Sequence, residues 1–154
     1  MMKSMVRGLG VALAGLAVAQ APAMAEAPFK DADAAVEYRQ GVLKQMGDHS
    51  KDLAEVVRGR KPYDPGQVKA DVAEFKALAE KPWQAFHPGT EGGNARPEVW
   101  QEPQKFADAA KLLQTRMAEL EAAADTGELA RVREAFGHTA NSCKACHDSF
   151  RQRR

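Results

Sequence analysis

Apolar residues recur at helical spacing in four stretches of this chain, and nowhere do they alternate with polar ones as in a half-buried strand. The first stretch runs from about Asp31 to Val57. Val36, Leu43, Ser50 and Val57 fall seven apart, with Arg39, Met46 and Leu53 between them, so two polar residues interrupt an otherwise apolar seam. Gly59 to Asp64, with Pro62, breaks the pattern. Asp64 then suits an N-cap and Pro65 a first helical turn, where its missing N–H would be unpaired anyway. Val68, Val72, Phe75 and Ala79 form the second stripe, which Pro82 ends.

A long connection follows, from Pro82 to Glu102, containing Pro88, Gly89, Gly92, Gly93 and Pro97. Connections of this length in compact domains are often functional. Trp83, Phe86 and Trp100 sit in or beside it, placed to pin it to the helices. Glu102-Pro103 opens a third helix with the stripe Phe106, Ala109, Leu113, Met117, Leu120 and Ala124. Asp125-Thr126-Gly127 is a short turn, so the third and fourth helices should be antiparallel neighbours. The fourth reads Leu129, Val132, Phe136, Ala140, Cys143 and His147, with Phe150 near its end. The expected fold is all-α, an antiparallel up-down-up-down four-helix bundle.

The first 25 residues follow another logic. Lys3 and Arg7 open them, Leu9 to Ala19 is an unbroken run of 11 small or apolar residues, and Ala23-Met24-Ala25 resembles a cleavage site. That is the layout of a secretory signal peptide, too short in its apolar part to span a bilayer. The expectation is export to the periplasm with no permanent membrane anchor, leaving a single domain over residues 26–154. Without Lys3 and Arg7 the chain has 20 basic against 21 acidic residues, a formal charge of −1. A near-neutral balance lacks the basic stripe of a nucleic-acid-binding protein.

The two cysteines stand in Cys143-Lys144-Ala145-Cys146-His147. A disulfide between them would close a very small loop and constrain little of the unfolded chain. At i and i+3 on a helix the two sulfurs share a face, and His147 lies one turn after Cys143 on that face. This C-x-x-C-H signature fits covalent attachment of a haem c, with two thioethers and an axial imidazole. A structural zinc site wants four Cys or His ligands, and His49, His87 and His138 are isolated. A thioredoxin-like pair needs a βαβ context, and no strand precedes the motif. Phe136, Ala140, Phe150, Val36, Leu43 and Met46 could shelter the flat apolar group, or serve as ordinary bundle core.

Taken together these residues resemble the cytochrome c′ family, the class II c-type cytochromes. The resemblance covers Tyr38-Arg39-Gln40, Pro82-Trp83 with Phe86, the loop Gly89-Thr90-Glu91-Gly92-Gly93, Arg96-Pro97-Glu98 and the terminal run Cys143 to Arg151. It implies that Cys143 and Cys146 hold the haem and that His147 is the proximal ligand. Leu43 falls where six-coordinate relatives carry a ligating methionine, so a five-coordinate, high-spin iron screened by Leu43 is implied. The alternative is a six-coordinate electron carrier with Met46 as the sixth ligand. Arg39 either pairs with haem propionates, with Gln40 adding a hydrogen bond, or bridges to a carboxylate such as Glu37. Glu91 and Asn94 are candidate propionate contacts from the loop. Arg151 resembles the family's arginine near the proximal pocket, and could equally be a cation favoured at a helix C-terminus.

The function implied is binding of nitric oxide and carbon monoxide, with O₂ disfavoured because Leu43 offers no hydrogen bond. Electron transfer with an unidentified redox partner needs only the covalent haem. No distal acid–base pair for enzymatic turnover is visible. The family is commonly dimeric, so a homodimer is a further expectation.

Overall fold

Two aspartates turn their carboxylates back onto the first turn of a helix. Asp31 accepts from the Ala34 N–H at 2.8 Å and Asp64 from the Gln67 N–H at 2.9 Å. Each satisfies a donor that the helix cannot pair itself. In the computed structural model, which describes residues 29–153, these caps start α1 (Ala32–Val57) and α2 (Pro65–Ala79). The expected signal peptide, residues 1–25, lies outside the described residues.

The connection after α2 is more regular than its prolines and glycines suggested. It holds a 3₁₀ turn, Pro82–Phe86, and a short helix α3, Glu98–Gln101, that runs through Glu102 into α4, Pro103–Asp125. Gly127, at φ +72°, reverses the chain into α5, Leu129–Phe150. Packing neighbours run α1 with α2, α2 with α4, α4 with α5, and α5 back to α1. That closed ring is the four-helix bundle, and no strand occurs among the described residues. Nor is any described helix long and apolar enough to cross a membrane.

The centre of the bundle is apolar. Leu53, Phe75, Met117, Leu120 and Val132 are all almost fully buried, and each such side chain contributes about 1.5–3 kcal/mol by leaving water. On α1 the buried rows are Arg39, Met46 and Leu53 together with Ala35 and Val42. Spacing alone had put Val36, Leu43 and Ser50 in that seam, and the structure corrects this. These three are only half-buried, because the helix turns Ala35 and Val42 toward its neighbours and leaves the row beside them for another surface. Thr139 and Ser142 are unheralded core residues on α5. Both satisfy their hydroxyls locally, Thr139 on the Ala135 carbonyl and Ser142 on that of Thr139.

Candidate functional site

From the row that α1 keeps out of the core, Leu43 and Ser50 face a cavity of about 630 Å³, a volume in the range of cofactor pockets. Leu43, Met46 and Gly47 line it from α1, Phe75 from α2, Trp83 and Phe86 from the 3₁₀ turn, Phe106 and Leu113 from α4. The last turns of α5 complete it with Cys143, Cys146, His147 and Phe150. Both cysteines are free thiols, partly buried. Burial pushes Cys146 up to about 11, helped by Cys143 beside it, and also raises Cys143. Desolvation and the charge of Arg151 pull His147 down. The imidazole is therefore neutral near pH 7, with a lone pair free for a metal.

This donor set suits a porphyrin. One imidazole and two thiols from a single helix turn make a poor cage for a bare ion, whereas a haem brings its own equatorial nitrogens and needs only an axial base and two attachment points. An apolar cavity wall suits its faces. The residues present thus fit the group.

Arg39 does not make the expected bridge to Glu37. It is only 2% exposed. Its Nη1 donates to the carbonyls of Ala85 and Thr90, both at 2.7 Å, and its Nη2 to that of Gly92 at 2.9 Å. The guanidinium carbon also lies 4.6 Å from the Phe86 ring centroid and 5.5 Å from that of Trp100. Burial lowers its pKa, and Glu91 opposes that shift. The expected bridge to Glu37 is replaced by backbone carbonyls of the long connection, which folds around the side chain. Three of the five guanidinium N–H groups are used in this way. Arg39 nevertheless lines the cavity, so a propionate contact stays open to the rest.

The aromatic residues do pin the connection. Trp83 donates its indole N–H to the Ala79 carbonyl at 2.6 Å and meets Phe106 edge-on. Phe86 packs on Phe106 with ring centroids 4.9 Å apart, and Phe106 meets Phe150. The end of α5 adds a clasp that no sequence signal announced. Arg96 donates its N–H to the Phe150 carbonyl and Gln152 to that of Asn94, each at 2.9 Å, around an antiparallel bridge between Ala95 and Arg151. One connection therefore ties α1, through Arg39, to the turn of α5 that carries His147.

Gln40, Asn94 and Arg151 all line the cavity. Glu91 does not. Its side chain is exposed outside the cavity and accepts from the Gly89 N–H at 3.3 Å. Gly93 adopts φ +60°, and a Cβ there would stand 2.6 Å from Gln40 Nε2 and 3.0 Å from Val36 Cγ1. Gly93→Ala should therefore lower stability by about 1–2 kcal/mol through the left-handed backbone alone, and also displace Gln40. A thermal melt within a degree of the parent would contradict this.

A four-helix bundle whose final helix presents Cys-x-x-Cys-His to an apolar cavity has the form of a class II c-type cytochrome. The comparisons agree. The family model described as cytochrome c′ matches residues 34–151. Cytochrome c′ of Alcaligenes xylosoxydans xylosoxydans is 45% identical over 82% of this chain and 99% of its own. A solved ferrous arginine-to-lysine variant of cytochrome c prime from Alcaligenes xylosoxidans, with bound nitric oxide, is similar at TM-score 0.80 and 44% identity, over 82% of this chain and 99% of that one. A leucine-to-isoleucine variant from the same source, also a nitric oxide complex, matches at TM-score 0.79 and 45% identity, over 81% and 99%. The chain belongs to the cytochrome c′ family and is a protein of one c-type haem.

Proposed function

We propose that this protein is an exported gas-binding haem protein, with the haem held by thioethers to Cys143 and Cys146 and by His147 as proximal ligand. The observation that carries the reading is the convergence of these three side chains on one cavity that Leu43 lines from another helix. A haem held by these residues would supply an iron able to bind a small diatomic ligand. The chain's residues do the rest. His147, kept neutral, supplies the proximal nitrogen. Leu43 brings an apolar, non-ligating side chain to the distal side, which favours nitric oxide and carbon monoxide and denies O₂ a hydrogen bond. The nitric oxide complexes of the Alcaligenes proteins support the same ligand class for this chain.

Met46 lines the cavity too, but it is 5% exposed and packs into the core cluster. We assign its thioether to packing, which leaves the iron five-coordinate and the six-coordinate alternative without a ligand. Electron exchange with a redox partner is compatible with the same site and needs no further residue. The leader-like first 25 residues support a periplasmic location, where such a protein would buffer or sequester the gas rather than turn it over.

An absorption spectrum of the reduced protein with and without carbon monoxide tests this directly. A high-spin spectrum that shifts on adding the gas is expected. A low-spin spectrum indifferent to it would restore Met46 as a ligand. Leu43→Ala should accelerate carbon monoxide association by roughly tenfold, equivalent to lowering the barrier by about 1.4 kcal/mol. Unchanged kinetics would remove Leu43 from the distal side.

A further inference from the structure

Glycine in the interior of a helix is destabilising relative to alanine unless something requires the missing side chain. Gly47 lies well inside α1, and a Cβ built on it would meet no atom within 4 Å. No protein neighbour explains it. Gly41, on the same helix, is equally uncrowded, but only Gly47 lines the cavity. Gly47 is also exposed, so the cavity meets solvent there.

Helical side chains lean toward the N-terminus, so each covers the surface over the preceding turn of its helix. Residue 43 is one turn before residue 47 on the same face, and it is Leu43. Any side chain at 47 would lean into the space beside Leu43, between that leucine and the cavity mouth. Ser50, small and half-buried on the following turn, extends the same low ground along the wall. The α1 wall is therefore high at Leu43 and Met46 and open at Gly47.

We propose that Gly47 is the entry notch through which small neutral ligands reach the space beside Leu43, and that it sets their association rate. This rests on the gas-binding reading above, with Leu43 on the distal side. In that arrangement Leu43 governs the final step of binding and Gly47 the approach to it.

The test uses the haem-loaded protein and carbon monoxide. Gly47→Ala and Gly47→Leu should slow association, severalfold for alanine and by roughly an order of magnitude for leucine, as expected for a narrowed entry path. Reduced absorption spectra should stay unchanged. The melting temperature of Gly47→Ala should rise, since alanine suits a helix better and nothing clashes with it. Equal association rates in all three proteins would overturn the proposal. So would slowed binding accompanied by poor haem incorporation or an altered spectrum before gas is added, because the space would then belong to the porphyrin. If the parent protein binds no carbon monoxide at all, the gas-binding reading fails first, and the notch with it.

Discussion

Arg39→Met should cost the protein about 3–5 kcal/mol of stability, because it removes three hydrogen bonds from a charged donor, each worth about 1.5–3 kcal/mol, while sparing the desolvation of the guanidinium. Methionine keeps much of the bulk and the apolar contact with Phe86 but donates no hydrogen bond. The Thr90 carbonyl would lose the partner that the guanidinium gives it, Gly92 would keep only the Ala95 N–H at 3.4 Å, and Ala85 only the Thr90 hydroxyl at 3.2 Å. A buried acceptor left unpaired costs about 1–3 kcal/mol, so the Thr90 carbonyl accounts for a large part of that loss and the two weakened carbonyls add to it. For a domain of this size the loss corresponds to a fall in melting temperature of roughly 10–20 °C. Arg39→Lys should fall between the two, because an ammonium keeps the charge but lacks the fork that spans separate carbonyls. The damage should also be directional. Amides of residues 85–96 should exchange faster than those of the core, since the connection loses the group it folds around. A melt of Arg39→Met within a few degrees of the parent would mean that water replaces the guanidinium without penalty.

The helices themselves were plain in the sequence. Asp31, Asp64, Pro65, Pro103 and Gly127 act locally, through caps and turn geometry that need no distant partner, and every long helix starts within a residue or two of where they place it. The orientation of each helix was harder. Leu43, Phe106 and Cys143 repeat with the core residues because a porphyrin-sized apolar cavity selects the same side chains as a core does. Periodicity cannot separate the two surfaces, and only packing against α2 showed that Val42 rather than Leu43 belongs to the centre.

The candidate site divides in the same way. Cys143, Cys146 and His147 were legible because their chemistry depends on spacing along one helix. Arg39 was visible only as an anomaly, a charge within an apolar seam. Its partners are main-chain oxygens 46 to 53 residues away, which carry no side-chain signature at all. The clasp between Asn94-Ala95-Arg96 and Phe150-Arg151-Gln152 was hidden for the same reason, since backbone pairing is nearly blind to residue type. Glu91 was overread. Its place in the glycine-rich loop suggested the cofactor, yet Arg39 draws the loop's carbonyls inward and leaves that carboxylate outside.

His147→Ala should separate attachment from ligation. The thiols of Cys143 and Cys146 lie on the same cavity but are distinct groups from the imidazole, so a denatured sample of the variant should keep the added mass of a haem. The folded protein should lose the proximal bond, and its reduced spectrum and carbon monoxide complex should both differ from the parent's. Alanine leaves a gap at the end of the cavity where His147 stood, and imidazole added to the solution should enter it and return the spectrum toward that of the parent. Desolvation at the cavity, with the Arg151 cation adding to it, favours the neutral, ligating form of the native imidazole and should do the same for the free base. Cys143→Ser with Cys146→Ser supplies the converse, a chain that keeps His147 yet shows no covalent mass. A His147→Ala protein with an unaltered spectrum, or a double serine variant that still carries the added mass, would take the assignment of these three residues apart.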